Sequence, residues 1–147
     1  RFMESETLTA GDSLTVFDTE FGKVGVGICY DIRFAEWSRL MALAGARLIV
    51  LPAAFNMTTG PAHWDLSIRA RALDNQIYML GCAPARDTQA GYISWGHSIV
   101  TDPWGKVMKQ LDEKEGILIE EIDLDREDQI REQLPLLKHR KSEMYHL

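Results

Sequence analysis

The sequence predicts a layered α/β domain built on a mixed sheet. Apolar runs of strand length alternate with segments of helical spacing over the first two thirds of the chain. The last third contains short β-type runs separated by turn residues. A chain of 147 residues, 46% of them hydrophobic, also suits one globular domain with a real core.

The first elements are a predicted hairpin followed by a helix. Strands over Leu14 to Phe17 and Lys23 to Ile28 are joined across the turn sequence DTEFG. Apolar residues then recur at helical spacing, and Gly45 signals the end of that helix. These apolar residues are Phe34, Trp37, Leu40, Met41 and Ala44.

A strand, a helix and another strand follow in the middle of the chain. The apolar run Leu48 to Leu51 ends at Pro52, which is typical of a strand buried on both faces. Thr59 or Gly60 is the predicted start of a helix that continues through Leu73, and QIYMLGCAPA is the next strand. This alternation implies right-handed crossovers and parallel strand pairs covered by helices.

The last third predicts an antiparallel meander and a short helix. GHSIVTDPWGKVMKQ indicates two strands joined by a turn at 102–105, and GILIEEIDL indicates a third strand. Asp123 is a plausible cap for a helix from Leu124 to about Arg131, and Pro135 then ends it.

Charge and cysteine usage narrow the class of protein. The formal net charge of −6 disfavours nucleic acids and anionic membranes as partners, and the basic run 138–141 is typical of a solvated face. Every apolar stretch is broken well short of roughly 18 residues, so we expect no membrane span and no signal peptide. The two cysteines have neither metal-site nor disulfide spacing, which predicts a reducing, cytoplasmic location.

Cys29 in VGVGICYDIRF stands where a predicted strand gives way to a helix. Such a turn lifts a thiol out of the sheet and places backbone N–H groups beside a reacting carbonyl. Gly25 and Gly27 leave the preceding strand without side chains at two positions, which indicates close approach of another element or a sharp turn. The alternative to a catalytic role is that Cys29 is a small residue of the core, and the local pattern alone favours this structural role. Cys82, in the middle of an apolar run, is interpreted as structural.

Two histidines are candidate bases for a cysteine nucleophile. His63 and His97 each lie beside a turn and a tryptophan, so a papain-like pair stays open, although capping or packing is the commoner role of such residues. No two histidines have the i, i+4 spacing that zinc sites often use, so no metal site is expected.

Several linked motifs resemble the nitrilase, or carbon–nitrogen hydrolase, superfamily, and are nearest to its ω-amidase branch. They run in order over nearly the whole chain: GVGICYDIRF, LIVLPAAFNMTTGPAHWDLSIRARALDNQIYM, PARD, GYISWGHSIVTDPWGKV and IDLDREDQIREQLPLLKHRKSEMY. The resemblance implies a four-layer αββα sandwich with a mixed sheet. Residues 1–147 would form its C-terminal portion, a single domain without the N-terminal part. The start at Arg1 rather than Met fits that expectation.

The resemblance also implies a chemistry. Cys29 matches the family's nucleophile, Glu4 matches its second glutamate, and the Tyr30 N–H corresponds to an oxyanion donor. The family's glutamate base and lysine lie further upstream and match no residue here. The implied reaction is amide hydrolysis through a cysteine thioester, for which no metal or organic cofactor is needed.

The implied substrate is the side-chain amide of a small 2-oxo acid, 2-oxoglutaramate or 2-oxosuccinamate. TTGPAHW is shared with the branch that hydrolyses deaminated glutathione, which is the alternative. Four loop residues are candidates to bind the substrate carboxylate, although an ion pair, helix capping and packing are their structural alternatives. They are Arg33, Thr58, Thr59 and Tyr92. Arg69 and Arg71 are expected to make structural hydrogen bonds.

The resemblance further implies a homodimer. A truncated, non-catalytic homologue that acts through assembly is a second alternative, and the basic C-terminal segment would suit an arm that reaches a partner. Without an N-terminal part, one edge of the core is expected to expose apolar surface.

Overall fold

The computed structural model describes residues 4–145, so Arg1 lies outside it. Its six strands form one sheet, in which they stand in the same order as along the chain. The elements are a short 3₁₀ helix Glu4–Glu6, β1 Thr15–Thr19, β2 Gly22–Val26, a second 3₁₀ helix Cys29–Arg33, α1 Ala35–Leu43, β3 Ala46–Pro52, α2 Thr59–Asn75, β4 Tyr78–Cys82, β5 Ile99–Thr101, β6 Val107–Gln110 and α3 Leu124–Gln133.

The sheet is mixed, as the sequence predicts. Strands β2, β3 and β4 are parallel neighbours, linked through α1 and α2. Strand β1 pairs antiparallel with β2, and β5 and β6 continue antiparallel beyond β4. Val26 pairs with Val50, which in turn pairs with Leu80, so the carboxyl ends of the three parallel strands meet at one edge. In an open α/β sheet this edge is where ligands bind.

The core lies where α1 and α2 pack against the sheet. The fully buried side chains come from both helices, from the strands and from the segments that join them. They include Ile32, Met41, Ile49, Ile68, Ile77 and Met79. A Cβ atom built on Gly27 would lie 1.9 Å from Cζ2 of Trp37 in α1. The expected close approach at this glycine is thereby confirmed. None of the described helices has the length and apolar character needed to cross a membrane.

The predicted third strand of the meander is wrong. Within the described residues, GILIEEIDL belongs to no strand, and the side chains of Ile117 and Ile119 are 86% and 77% exposed. The Lys109 side chain donates to the Ile119 carbonyl at 3.1 Å, which is a side-chain contact and not a strand ladder. Ile117 and Ile119 therefore have no described layer that buries them.

Helix α3 begins where the sequence predicts. The Asp123 carboxylate accepts from the backbone N–H groups of Asp125 and Arg126 at 3.0 and 3.4 Å, which confirms it as the N-cap. One Glu127 oxygen accepts from Arg47 and from Arg131, both at 2.8 Å, so the helix is tied to the start of β3.

The buried Glu127 carboxyl predicts a pH-dependent stability. Its second oxygen is buried without a hydrogen-bond partner among the described residues. Burial outweighs Arg131 and Arg47 and raises the pKa of Glu127 from 4.5 to about 7. The folded state therefore binds this proton more tightly than the unfolded state. The resulting stabilisation is fully present below pH 4.5 and is lost as the pH rises through 7, with a total of about 3 kcal/mol.

Urea denaturation at pH 4.5 and at pH 8 measures this effect. In Glu127→Gln the titrating group is absent, so the difference in unfolding free energy between wild type and variant is expected to change by about 3 kcal/mol across this range. Asp128→Asn alters an exposed neighbour in the same cluster and serves as the control. If the unfolding free energies of wild type and Glu127→Gln changed with pH in the same way, Glu127 would not be the source of the pH dependence.

Candidate active site

An open cavity of about 920 Å³ lies at the carboxyl edge of the three parallel strands. Each strand contributes the residues that follow it, because parallel strands end at the same edge. The 3₁₀ helix at Glu4 and the loop around Tyr92 complete the wall. The lining residues are Glu4, Ile28, Cys29, Tyr30, Pro52, Ala53, Ala54, Cys82, Ala83, Pro84 and Tyr92.

Cys29 has a backbone conformation that is rare for a residue with a side chain. Its φ angle is 46°, in the left-handed region, at a cost of about 1–3 kcal/mol. Two hydrogen bonds close the turn around it: Ile28 N–H donates to the Asp31 carboxylate at 2.8 Å, and Asp31 N–H donates to the Ile28 carbonyl at 3.1 Å. Together they hold the half-buried thiol at the cavity wall.

The turn also presents backbone donors. Cys29 and Tyr30 are the first two residues of their 3₁₀ helix, so their N–H groups have no partner within that helix. Tyr30 lines the cavity, while its side chain is 65% exposed and packs edge-to-face on Phe34 with a centroid distance of 5.4 Å. Two such N–H groups beside a nucleophile are the kind of donors that stabilise an oxyanion.

The Ala54 carbonyl links Cys29 to Tyr92. The Cys29 thiol donates to this oxygen over 3.9 Å, and the Tyr92 hydroxyl donates to it at 2.6 Å. Burial raises the pKa of Tyr92, and electrostatic interactions with Cys29 and Glu4 raise it further. Tyr92 is therefore a neutral donor that fixes the loop carbonyl facing the thiol.

Three of the other predicted site residues do not line the cavity. Arg33 contacts the Nδ1 atom of His63 at 2.8 Å through Nη1 and lies 4.5 Å above the Phe55 ring, so its neighbour is a histidine and not an acidic residue. The N–H groups of Thr58 and Thr59 and the Thr59 hydroxyl all donate to the Asn56 side-chain oxygen, at 3.0, 2.8 and 3.0 Å. Asn56 thus organises the start of α2.

Neither candidate histidine base reaches the thiol. His63 is paired with Arg33, and the His97 ring stacks on Trp95 at 4.3 Å while its Nδ1 contacts the Trp95 carbonyl at 2.8 Å. Neither ring lines the cavity. The structure therefore gives no support to a Cys–His pair among the described residues.

Cys82 departs from its predicted role. It ends β4, is exposed and lines the same cavity as Cys29, so it is not a core-filling residue. The prediction failed because the apolar run ends at the sheet edge, where side chains leave the core. The structural roles of Arg69 and Arg71 are confirmed: they donate to the carbonyls of Gly105 and Ile32 at 2.8 and 3.1 Å.

A strained cysteine at a strand-to-helix junction, with free backbone donors and an open cavity, is typical of hydrolases that form a covalent intermediate on cysteine. Residues 1–132 match the family model described as Carbon-nitrogen hydrolase. The chain belongs to this family.

Comparison with curated and solved proteins places the chain near two groups of relatives. It is 55% identical over 147 residues to an ω-amidase of Xenopus laevis and 49% identical over 144 residues to an ω-amidase of Homo sapiens, and covers 53% and 52% of their lengths. The alignments use 100% and 98% of this chain. The crystal structure of Saccharomyces cerevisiae Nit3, a member of branch 10 of the nitrilase superfamily, superposes with a TM-score of 0.89 at 48% identity. That alignment covers 94% of this chain and 51% of the yeast chain.

The chain thus spans about half the length of the curated relatives it matches. The predicted fold class is confirmed, because the mixed sheet with its helices matches a solved nitrilase-superfamily structure.

Proposed function

We propose that the protein is an amidase that hydrolyses the side-chain amide of a small 2-oxo acid through a thioester on Cys29. The observation that supports this most strongly is the Cys29 turn, which holds a thiol with a strained backbone at the cavity wall, beside two backbone N–H groups that have no partner within their helix. Curated relatives named ω-amidases are identical to this chain at 55% and 49% of the aligned positions, which favours this substrate class.

In the proposed reaction the Cys29 sulfur attacks the amide carbon as its proton leaves for a general base. The N–H groups of Cys29 and Tyr30 stabilise the oxygen that becomes negatively charged. The tetrahedral intermediate expels ammonia, which takes up the proton, and a thioester remains on Cys29. Water then adds to the thioester carbonyl, and the carbon–sulfur bond breaks to release the acid and restore the thiol.

The resemblance assigns the general base to a glutamate and a further positive charge to a lysine, and neither matches one of the 147 residues. We therefore propose that both groups act from sequence outside this chain. Glu4, which lines the cavity, is proposed as the second glutamate, which helps to hold that lysine and the substrate amide.

Product-release assays test the function: ammonia is measured for the two 2-oxo acid amides, and cysteinylglycine is measured for deaminated glutathione, whose scissile amide nitrogen belongs to that dipeptide. The protein expressed from the longest reading frame that contains residues 1–147 is incubated with 2-oxoglutaramate, 2-oxosuccinamate or deaminated glutathione. We expect the two 2-oxo acid amides to be hydrolysed with the higher kcat/KM. Preference for deaminated glutathione would favour the alternative branch, and no hydrolysis of any of the three would favour a homologue that acts through assembly.

Arg33 does not line the cavity, so we propose that it reaches the substrate carboxylate by turning away from His63, and replacement of Arg33 tests this. Arg33→Met is expected to raise KM for 2-oxoglutaramate by about tenfold or more, since a hydrogen bond to a charged group contributes roughly 1.5–3 kcal/mol. The KM for propionamide, which has no carboxylate, is expected to stay within about twofold. Arg126→Met, which removes a half-exposed arginine paired with Asp102, is the control. Equal losses with both amides would show that Arg33 has a structural role instead.

The other expectations from sequence stay predictions. Thr59 and Tyr92 are proposed to contact substrate only through rearranged hydrogen bonds, because their hydroxyls already donate to Asn56 and Ala54. Thr58 donates to Asn56 through its backbone N–H, and its hydroxyl is proposed to make the contact with substrate. Homodimer formation and the cytoplasmic location are likewise predictions.

A further inference from the structure

Arg33 has an unusual set of partners for an arginine of the described chain. Its Nη1 atom lies 2.8 Å from Nδ1 of His63, and its guanidinium carbon lies 4.5 Å from the centroid of the Phe55 ring. Four other arginines form ion pairs with carboxylates, namely Arg47, Arg71, Arg126 and Arg131. No carboxylate in the described part of the chain forms an ion pair with Arg33. The positive charge of Arg33 therefore remains available to an anion.

The contact with Arg33 fixes the protonation of His63. An arginine side chain has N–H donors and no acceptor, so Nδ1 of His63 must be the acceptor and the ring proton must be on Nε2. Protonation at Nδ1 would place an N–H group and a second positive charge against the guanidinium. The contact therefore exists only while the imidazole is neutral. Histidine is the side chain that ordinarily changes its charge between pH 5 and pH 8.

Both residues of this pair belong to the elements that carry the candidate active site. Arg33 ends the 3₁₀ helix that begins at Cys29, and its carbonyl accepts from the Arg71 side chain at 3.2 Å. His63 lies one turn after Thr59 in α2, so the two residues share a face of that helix. The His63 side chain is exposed and Arg33 is partly buried. Rotation of side chains can therefore open the contact while the main chain stays in place.

The other charged groups on the surrounding elements have contacts of their own. On the 3₁₀ helix, on α2 and in the loop 86–97, their side chains contact groups other than the side chains of Arg33 and His63. These residues are Asp31, Asp65, Arg69, Arg71, Asp74, Arg86, Asp87 and His97. The titration of His63 therefore acts directly on the Arg33 side chain.

We propose that His63 is a positioning residue that sets the preference of the site for amides that carry a carboxylate. Neutral His63 holds Arg33 beside the Phe55 ring and away from the cavity. Protonated His63 releases Arg33, which then pairs with the substrate carboxylate. His63 acts in this way only if Arg33 recognises that carboxylate, as proposed above. Amides that carry a carboxylate are therefore expected to be preferred more strongly as the pH falls.

Two amides with acyl chains of the same length measure this preference. Succinamate ends in a carboxylate and butyramide ends in a methyl group. The ratio of their kcat/KM values cancels those effects of pH that act on both substrates through the nucleophile and the general base. The protein is expressed from the longest reading frame that contains this chain. We expect the succinamate-to-butyramide ratio of the wild type to rise at least about threefold between pH 8 and pH 6.

Two substitutions at position 63 reproduce the two states of the contact. His63→Gln supplies an acceptor that does not titrate, so the ratio is expected to stay at its pH 8 value at both pH values. His63→Phe keeps a ring and removes the acceptor, so the ratio is expected to be high at both. His139→Gln replaces another exposed histidine and is expected to reproduce the wild-type ratios within about twofold. A wild-type ratio that does not change with pH, or equal ratios in His63→Gln and His63→Phe, would overturn the proposal.

Binding to Cys29→Ala separates this role from amidase activity. Calorimetric titration of that variant with succinamate requires no turnover, and Kd is expected to fall at least about threefold between pH 8 and pH 6. Adding His63→Gln is expected to abolish the change. If the change in Kd is found and the wild type hydrolyses neither amide, the amidase proposal fails and the role of His63 stands. If the wild type hydrolyses both amides and Kd does not change with pH, the role of His63 fails and the amidase proposal stands.

Discussion

Cys29→Ala is expected to reduce amide hydrolysis by at least about 10⁴-fold, to the background rate of the assay. The variant removes the only atom that the proposed reaction acylates, whereas the fold loses one half-buried sulfur atom. Cysteine and alanine both carry a Cβ atom, so the strain at φ 46° is unchanged, and the stability is expected to fall by no more than about 1 kcal/mol through the loss of the sulfur. Ammonia release and thermal unfolding separate the two effects.

Cys82→Ala is the matched control. It removes the second thiol that lines the same cavity, at an exposed position where the loss of packing is small. We expect it to retain activity within a few-fold, and iodoacetamide to inactivate it as fast as the wild type. If Cys82→Ala abolished hydrolysis and Cys29→Ala did not, the nucleophile would have been assigned to the wrong cysteine.

Gly27→Ala is expected to destabilise the fold by about 3 kcal/mol, since the added methyl group would lie 1.9 Å from Cζ2 of Trp37. The Trp37 indole belongs to α1 and packs partly buried against the core, so either α1 or the Cys29 turn must shift. The shift is expected to lower kcat as well, because Gly27 lies two residues before Cys29. Urea denaturation and steady-state kinetics measure the two effects.

A double-mutant cycle with Trp37→Ala identifies the cause. Removing the ring opens space for the methyl group, so the cost of Gly27→Ala in the Trp37→Ala background is expected to fall to about 1 kcal/mol or less. Gly11→Ala is the control, because a Cβ atom there has no atom within 4 Å. If the cost of Gly27→Ala were equal with and without the ring, steric conflict with Trp37 would not be its origin.

The sequence predicted correctly those helices and strands whose periodic apolar side chains are buried in the core. α1, α2 and the central strands each carry an apolar pattern that one sheet and two helices can bury, and each is found close to its predicted bounds. The segment GILIEEIDL is also rich in apolar, β-branched residues and forms no strand within the described chain. Such a composition indicates which side chains a strand would bury if a partner were present, and it does not indicate whether the partner is there.

The sequence predicted those residues of the site that belong to a distinctive sequence motif. Cys29, Tyr30, Glu4 and Tyr92 all line the cavity. The Ala54 carbonyl was not predictable, because every residue has a carbonyl and only the folded chain decides which one faces the thiol. The role of Asn56 was missed for a related reason: an asparagine two or three residues before a helix is common, and its three bonds depend on the local turn.

The order of the strands has a consequence for folding. Every strand pairs with the strand that precedes or follows it in the sequence, but the parallel pairs β2–β3 and β3–β4 are each closed across a helix. The paired residues Val26 and Val50 are 24 positions apart, and Val50 and Leu80 are 30 positions apart. Loop-closure entropy is lost before such pairs stabilise the chain, so parallel pairing is expected to be a slow step of folding. With the exception of Glu4, the cavity wall comes from the stretch between Ile28 and Tyr92. The nucleophile turn and the loops that face it are therefore expected to become ordered together, once the parallel strands have paired.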